Sequence, residues 1–394
     1  LMGIARQPKG LKAVVAMEPV FSGYGYLYER GVRFGNSIGT PLIFQGLDAQ
    51  PAYPTNPLEY QINGAPQFWC YGINFAMQQQ DEANVPFWIE RDLLPPTIGK
   101  RTPLFLTQGF LERNTLPDAA FDFFNGLAGP RRAWYGQFDH VRGWEKAERR
   151  FQAGRSTFVA ELMRFLDHYV KGVPLAKAPV HRDAPVAVQD NLGRYRAERR
   201  WPPSDSAMWW SDLNAGTYTD DGNNSGTGGA GGRGIWSLSQ AVPHDVWLAG
   251  EPELKVTADS LVPRTNLVAN LYDVAPGGRA TLVSRGATLL RGLGRQLAAI
   301  ELYGQDWVVR KGHRLGVLVS GANAEWWSHL PTMTPVGVTS AKIGLPFLRQ
   351  RRRAFLDGKT TLRLEEHRKN GFVTVPTATM RDGRRTFRLP PPLA

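Results

Sequence analysis

Three short apolar runs separated by longer segments constrain the fold of this chain more than any other feature of its sequence. The runs are GLKAVVAM (10–17), TPLFLT (102–107) and RRAWYGQF (131–138). Each has the length and composition of a buried strand. A short helix is predicted within PDAAFDFFNGLAG (117–129), and a longer amphipathic helix within TFVAELMRFLDHYVKG (157–172). Buried strands that alternate with helices predict a mostly parallel sheet covered by helices, which we place in residues 1–173.

One interval of this first domain breaks the alternation. Residues 40–98 are rich in proline, glutamine and aromatic side chains and show no strand–helix rhythm. We interpret them as an inserted helical cap over the strand ends.

The second half of the chain has a different pattern. Proline-rich residues 174–204 predict a linker, and residues 205–394 contain short alternating runs about ten residues apart. Such runs predict an all-β sandwich of the jelly-roll kind. The glycine-rich segment 214–234 is interpreted as a flexible connection. The predicted strands are ELKVTADS (253–260), NLVANLYDV (266–274), ATLVSRGATLL (280–290), RQLAAIEL (295–302), HRLGVLVSG (313–321) and FVTVPT (372–377).

Composition narrows the class of protein. A chain of 394 residues with 42% hydrophobic and 21% charged residues is long enough for two domains and too apolar for wholesale disorder. The single cysteine, Cys70, excludes an intramolecular disulfide and a cysteine-based zinc site. No apolar run approaches the length of a membrane span. These features leave both a cytoplasmic and a secreted location open.

The net charge of +12 raises the question of nucleic acid binding. The basic residues are spread along the chain, apart from the cluster RQRRR (349–353). Because neither a groove-reading motif nor interleaved aromatic residues accompany this cluster, a solvated basic face is favoured and no nucleic acid partner is expected.

Two candidate catalytic residues follow predicted strands. Glu112 comes just after TPLFLT, and His140 just after RRAWYGQF. Functional groups of an open α/β sheet gather past the carboxyl ends of its strands, and an acid followed by a histidine is the chain order of α/β-hydrolase triads. A serine hydroxyl needs an imidazole to take its proton, and the imidazole needs a carboxylate to orient it. Spacing alone leaves open whether His140 is catalytic or structural.

Several segments resemble the cocaine esterase and X-prolyl dipeptidyl-peptidase hydrolases. The resemblance runs from Gly10 to about Ser320 and implies an α/β-hydrolase domain with an inserted cap, followed by a jelly-roll domain. It also implies that Glu112, in GFLE, is the triad acid and that His140, in GQFDH, is the triad histidine. The segments that carry the resemblance are GLKAVVA, TQGFLERNTLPD, GQFDHVRG, FLDHYVKG, VAVQDNLGRYRAERRWPP, LYDVAPGGRATLVSRG and GHRLGVLVSG.

The resemblance places the nucleophilic serine elsewhere. In this family a Gly-x-Ser-Tyr-x-Gly elbow shortly precedes the strand that GLKAVVA resembles, so we expect the elbow upstream of Leu1 and the chain to be the C-terminal portion of a longer hydrolase. GNSIG (35–39) formally matches Gly-x-Ser-x-Gly, but Pro41 and the absence of a following helical pattern make Ser37 a loop serine in our interpretation.

The remaining histidines show no paired spacing typical of a metal site, so neither metal nor cofactor is expected. Trp88, Trp326 and Trp327 are possible pocket residues.

The sequence therefore predicts a serine hydrolase acting on small-molecule esters or amides or on peptides, through an acyl-enzyme. The alternatives are a non-catalytic carbohydrate- or polymer-binding jelly-roll protein and an inactive truncated hydrolase. The exact substrate and the oligomeric state are left open.

Overall fold

The computed structural model describes residues 1–40, 42–43, 67–117, 119–222, 233–323, 325–382 and 386–389. Within these residues the chain forms an α/β domain followed by a β domain, as the periodicity predicts. The strands of the first domain are, in chain order, β1 (Val14–Met17), β2 (Tyr28–Glu29), β3 (Val32–Arg33), β4 (Leu104–Gly109), β5 (Arg131–Gly136), β6 (Lys146–Ala147), β7 (Arg150–Phe151), β8 (Val186–Gln189) and β9 (Tyr195–Glu198).

The main sheet of the first domain has the strand order β1-β4-β5-β8-β9. Strands β1, β4, β5 and β8 are parallel, and β9 returns antiparallel to β8. Strands β2 and β3 form one separate hairpin, and β6 and β7 form another. The helices are α1 (Met2–Arg6), α2 (Gly23–Leu27), α3 (Gln67–Met77), α4 (Pro86–Ile89), α5 (Ala120–Gly126) and α6 (Phe158–Tyr169), with 3₁₀ turns at Gly35–Ser37, Pro95–Thr97 and Val180–Arg182.

Helices cover both faces of this sheet. Leu104 and Leu106 of β4 pack with phenylalanines of α5, such as Phe121, on one face. Phe105 lies on the opposite face with Phe158 and other apolar residues of α6. Because both faces are buried, the strands are continuous apolar runs rather than alternating ones.

The segment that the sequence predicts as a linker contains strands β8 and β9. They lie inside residues 174–204 and complete the first sheet, with Ala133 of β5 opposite Val186 of β8. The turn sequence DNLG between VAVQ and RYRAE closes a hairpin, which the proline content of the surrounding segment obscures. This part of the segment therefore belongs to the five-stranded sheet.

The described part of the interval 40–98 contains helices joined by turns. Helices α3 and α4 lie here, while residues 41 and 44–66 fall outside the described part of the chain. The end of α3 contacts the β2–β3 region, since the Tyr28 hydroxyl donates to the carbonyl of Gln78 at 3.0 Å. Asp81, just beyond α3, pairs with Arg264 and Arg291 of the second domain. The insertion therefore contacts both domains.

The second domain contains two sheets. One has the order β17-β14-β20-β13-β18, with β10 and β11 also paired to β20, and the other has the order β21-β16-β15-β19-β12-β22. The strands are β10 (Ser206–Leu213), β11 (Gly216–Thr219), β12 (Ile235–Ser239), β13 (Val246–Gly250), β14 (Glu253–Ser260), β15 (Arg264–Val274), β16 (Arg279–Arg291), β17 (Gly294–Glu301), β18 (Gln305–Val309), β19 (Arg314–Ser320), β20 (Pro335–Leu348), β21 (Phe372–Thr374) and β22 (Thr386–Phe387). Helices α7 (Leu362–Asn370) and α8 (Thr377–Arg381) follow β20.

Apolar side chains from both sheets form the core of this domain, with Leu254 and Val256 of β14 facing Leu267 and Leu271 of β15. Each strand predicted in this half contains or overlaps an observed strand. The glycine-rich segment 214–234 was expected to be a flexible connection, but Gly216–Thr219 within it pair with β20 as β11. Residues 223–232 of that segment lie outside the described residues.

Candidate active site

The loops after β4 and β5 begin at glycines that let the two backbones approach closely. The Phe110 amide donates to the carbonyl of Gly136 at 2.7 Å, and the Leu111 amide donates to the carbonyl of Phe138 at 3.3 Å. A Cβ atom on Gly109 would lie 2.1 Å from the Phe138 carbonyl oxygen, so a larger residue does not fit there. These contacts join the segment carrying Glu112 to the segment carrying His140.

Glu112 is held by the turn that follows it. Its Oε1 accepts hydrogen bonds from the amides of Asn114, at 2.7 Å, and Thr115, at 3.2 Å. The side chain is fully buried. Burial raises the pKa of the Glu112 carboxyl, while the Asn114 amide and the His140 ring act in the opposite direction. One oxygen is thus committed to the backbone, and the other is left for a partner.

That partner is His140. The Nδ1 atom of His140 lies 3.1 Å from Oε2 of Glu112, within the range of an ordinary hydrogen bond. The imidazole is about one-third exposed, and its Nε2 has no hydrogen-bond partner among the described residues. A carboxylate at Nδ1 fixes the proton there and leaves Nε2 as the basic nitrogen. The structure therefore brings the two candidate catalytic residues together, with one ring nitrogen free to act as a base.

Asp139 ties the two loops together a second time. Its Oδ1 accepts from the backbone amides of His140, at 3.0 Å, and Arg113, at 3.1 Å. Its Oδ2 lies 3.2 Å from Nε of Arg113. The backbone of His140 and the backbone of Arg113, the residue after Glu112, are thus anchored on one carboxylate.

Glu18 is a buried acid that the sequence analysis missed. It follows β1, accepts from the Thr107 hydroxyl at 2.9 Å and lies 3.5 Å from the Arg142 guanidinium. Burial raises the pKa of Glu18 to about 9, so the carboxyl is protonated near neutral pH. The position after a parallel strand, which singled out Glu112 and His140, was the signal that could have identified it.

Thr115, also missed, links this acid to the candidate pair. Its hydroxyl donates to the backbone carbonyl of Glu18 at 2.7 Å and lies 3.4 Å from Nδ1 of His140. A small, mainly apolar pocket opens beside Thr115, and its walls include Pro19, Phe21 and Tyr26. Thr115 therefore lies both in the wall of this pocket and next to the His140 ring.

Ser37 is not presented as a nucleophile. It lies in a 3₁₀ turn after the β2–β3 hairpin, and its side chain is buried. Its hydroxyl has the carbonyls of Phe34, at 2.8 Å, and Leu27, at 3.1 Å, as partners. The hydroxyl of Ser37 is therefore buried and hydrogen-bonded, whereas a nucleophilic serine is exposed at its turn.

None of the three tryptophans considered as pocket residues lines the pocket beside Thr115. Trp88 packs with Tyr24, Tyr28 and Phe87, and its indole donates to the carbonyl of Gln80 at 2.8 Å. Trp326 and Trp327 are buried in a cluster at the domain boundary that includes Leu116, a residue of the wall of the pocket beside Thr115. Trp326 also lines a separate cavity together with Glu112 and Arg363.

Three other histidines have structural partners. His313 pairs with Asp273 at 2.8 Å, His329 lies 2.6 Å from Asp220, and the buried ring of His367 donates to the carbonyl of Leu282. In the described part of the chain, no group of three or more His, Cys, Asp or Glu side chains is arranged to hold a metal ion.

Two further observations concern nucleic acid binding and membrane insertion. In the basic cluster 349–353, the Arg352 guanidinium is paired with Glu198 and Asp205 and is therefore partly neutralised. Among the described helices, none has the length and apolarity needed to cross a membrane.

Comparison with known families matches most of the chain. Residues 1–142 match the X-Pro dipeptidyl-peptidase (S15 family) model, and residues 179–370 match the model of the X-Pro dipeptidyl-peptidase C-terminal non-catalytic domain. A protein of Streptomyces avermitilis, named as a candidate Xaa-Pro dipeptidyl-peptidase, is 24% identical over 420 residues, with 86% of this chain and 59% of that protein covered. The chain thus spans less than two thirds of this curated relative.

Solved structures share the fold. A CocE/NonD family hydrolase from Staphylococcus aureus is similar with a TM-score of 0.68 and 13% identity, covering 87% of this chain and 69% of that one. An aminopeptidase from a marine sediment Thaumarchaeota archaeon is similar with a TM-score of 0.64 and 12% identity. The match covers 86% of this chain and 72% of that one. These likenesses confirm the predicted arrangement of an α/β-hydrolase domain followed by a β domain.

Proposed function

The chain belongs to the X-Pro dipeptidyl-peptidase and cocaine esterase family of α/β-hydrolases, and from this premise we propose that it is part of a serine hydrolase of ester or amide bonds. The observation that carries the proposal is the contact between Glu112 and His140 at the carboxyl ends of two adjacent parallel strands. A buried carboxylate at Nδ1 and a free Nε2 on a partly exposed ring are what a general base for a hydroxyl nucleophile requires.

In the proposed reaction His140 takes the proton of a serine hydroxyl through Nε2 as the serine attacks the substrate carbonyl. The imidazolium then gives this proton to the leaving alcohol or amine, and an acyl-enzyme remains. Water attacks the acyl-enzyme with His140 again acting as base, which releases the acid and restores the serine. Glu112 holds the ring tautomer and stabilises the imidazolium through both steps.

We propose that the nucleophilic serine comes from sequence that precedes Leu1 in a longer protein. Two features of the described residues support this. Strand β1 pairs with β4 alone, so its other edge is available for a further strand carrying a nucleophile elbow. The hydroxyl of Ser37 is occupied by two backbone carbonyls.

The proposed substrates are acyl esters, amides or peptides, including peptides with proline in the second position. The family match and the name of the Streptomyces relative support this range. The pocket beside Thr115 is small and mainly apolar, and we propose that it receives a compact apolar group next to the scissile bond.

We further propose that the second domain has jelly-roll connectivity and that the first domain extends to about residue 204. The chain crosses repeatedly between the two sheets, which are antiparallel except for the β12–β22 pair. It crosses from β12 to β13, from β14 to β15, from β16 to β17 and from β18 to β19, which is typical of a jelly roll. The pairing of β8 with β5 supports the later boundary.

The proposal is tested with the longer protein that includes the preceding sequence. We expect it to hydrolyse a p-nitrophenyl ester or an X-Pro p-nitroanilide with an initial burst, and to be labelled by a fluorophosphonate. His140→Ala should abolish turnover, whereas His181→Ala, at an exposed histidine, should leave it unchanged. A longer protein with neither labelling nor turnover, or with full activity in His140→Ala, would contradict the proposal.

A further inference from the structure

The first turn of helix α7, which belongs to the second domain, lies against both loops of the candidate site. Thr361 is its N-cap and accepts a hydrogen bond from the Leu364 amide at 3.0 Å. The same hydroxyl donates to the backbone carbonyl of Gln137, three residues before His140. The helix start is therefore fixed to the loop that carries the candidate base.

Arg363, two residues further along, contacts both loops with one atom. Its Nε lies 3.3 Å from the carbonyl oxygen of Leu111, the residue before Glu112. It also lies 3.3 Å from Oδ2 of Asp139, the residue before His140. The Arg363 side chain is only 13% exposed, so this contact is largely shielded from solvent.

These contacts place Arg363 one residue away from each member of the candidate pair. Asp139 connects Arg363 to His140, because its other oxygen, Oδ1, accepts a hydrogen bond from the His140 amide at 3.0 Å. Together with Arg113, Arg363 also neutralises a carboxylate that would otherwise bring an additional negative charge close to the imidazole. A cation in this place can set both the spacing of the two loops and the local charge.

We propose that Arg363 of the second domain is a positioning residue for the Glu112–His140 pair. The inference rests on the proposed function for its catalytic consequence. It assigns a direct part in organising the site to a domain whose family model is described as non-catalytic.

The same helix offers a matched control. Arg150 of the β6–β7 hairpin forms a two-point pair with Glu365, with distances of 2.8 and 3.1 Å. This pair also joins the first domain to α7, but it is more exposed and contacts neither loop. Arg150→Met therefore removes a contact between the domains without touching the candidate site.

The first experiment measures the pKa of the His140 ring by NMR in the 394-residue chain. We expect Arg363→Met to raise it by roughly half a unit or more, since Asp139 loses one of its two arginine partners and keeps Arg113. Asp139→Asn should lower it, the double variant should lie near the wild-type value, and Arg150→Met should not change it. The charged groups around the pair are Glu18, Glu112, Arg113, Asp139, Arg142 and Arg363.

The second experiment measures turnover in the longer protein. We expect Arg363→Met to lower kcat about 10-fold or more while KM changes less than about twofold, because loss of alignment slows the chemical step. The acid limb of the kcat/KM profile should move to higher pH, and Arg363→Lys should recover part of the activity. Urea unfolding of each variant checks that the fold is retained.

Two results would overturn the inference. One is an Arg363→Met variant that matches Arg150→Met in kcat, and the other is a His140 pKa that responds equally to both substitutions. Failure of the proposed function is distinguishable, since the longer wild-type protein would then show no turnover or labelling while the NMR experiment still reports on Arg363.

Discussion

The carboxylate of Glu112 and the imidazole of His140 meet across the ends of β4 and β5, with Oε2 and Nδ1 3.1 Å apart. The contact is held from three sides. The turn at Asn114 and Thr115 fixes the carboxylate, Asp139 fixes the backbone of His140, and glycines at the strand ends let the two loops touch.

The first prediction concerns Glu112→Gln in the longer protein. The amide keeps the size of the side chain but not its charge, so it holds the wrong ring tautomer and stabilises the imidazolium poorly. We expect kcat to fall by about 10²- to 10⁴-fold, and by no more than in His140→Ala. Steady-state kinetics with an activated ester would measure this. Activity of Glu112→Gln within about threefold of wild type would contradict the role of Glu112.

The second prediction concerns Ser37. Because its hydroxyl is bound to two backbone carbonyls, a fluorophosphonate should not label the 394-residue chain. Ser37→Ala should leave labelling and turnover of the longer protein unchanged and cost about 1 kcal/mol of stability. Peptide mapping by mass spectrometry would decide the point, and stoichiometric adduct on Ser37 would make it the nucleophile.

The third prediction concerns the pH dependence of stability at Glu18. Its pKa is about 9 in the folded state and ordinary, near 4.5, in the unfolded chain. Between these values the folded state binds the additional proton, so this group makes the protein less stable as pH rises from about 4.5 to 9. The slope is at most about 1.4 kcal/mol per pH unit.

Glu18→Gln removes this dependence, so the stability of the variant relative to wild type should increase with pH over that window. Urea unfolding at pH 5, 6, 7 and 8 would measure the difference. Glu90→Gln, at a mostly exposed carboxylate, is the control and should run parallel to wild type. A Glu18→Gln curve that also runs parallel to wild type would show that Glu18 is ionised in the folded protein.

The fourth prediction concerns the buried ion pair between the domains. Arg196 of β9 and Asp306 of β18 form two hydrogen bonds, of 2.7 and 2.6 Å, and both side chains are almost fully buried. Asp306→Asn removes the more buried of the two carboxylates that pair with this guanidinium, the other being Glu198, and should cost about 3–5 kcal/mol in chemical unfolding. Asp259→Asn, which breaks an exposed pair with Arg295, should cost less than about 1 kcal/mol. Equal costs would mean that the buried pair does not hold the domains together.

The sequence alone was sufficient for the class of fold and for the candidate pair. Apolar runs of strand length identified β1, β4 and β5, because a strand covered on both faces needs apolar side chains at every position. Glu112 and His140 follow two of these strands, and the ends of adjacent parallel strands meet at one sheet edge. In the second domain, the alternation of ELKVTADS matches the full length of β14.

Tertiary structure decided what depends on contacts between distant parts of the chain. Prolines and glycines interrupt the apolar pattern around β8, β9 and β20, and these segments are strands because neighbouring strands supply their hydrogen bonds. Glu18 is protonated only because the surrounding side chains remove water from it. Arg363 contacts Leu111 and Asp139 only after the two domains pack together. The local pattern of apolar residues predicts which side chains a strand buries. Burial of a charged group and alignment of two loops depend instead on neighbours that only the folded chain brings close.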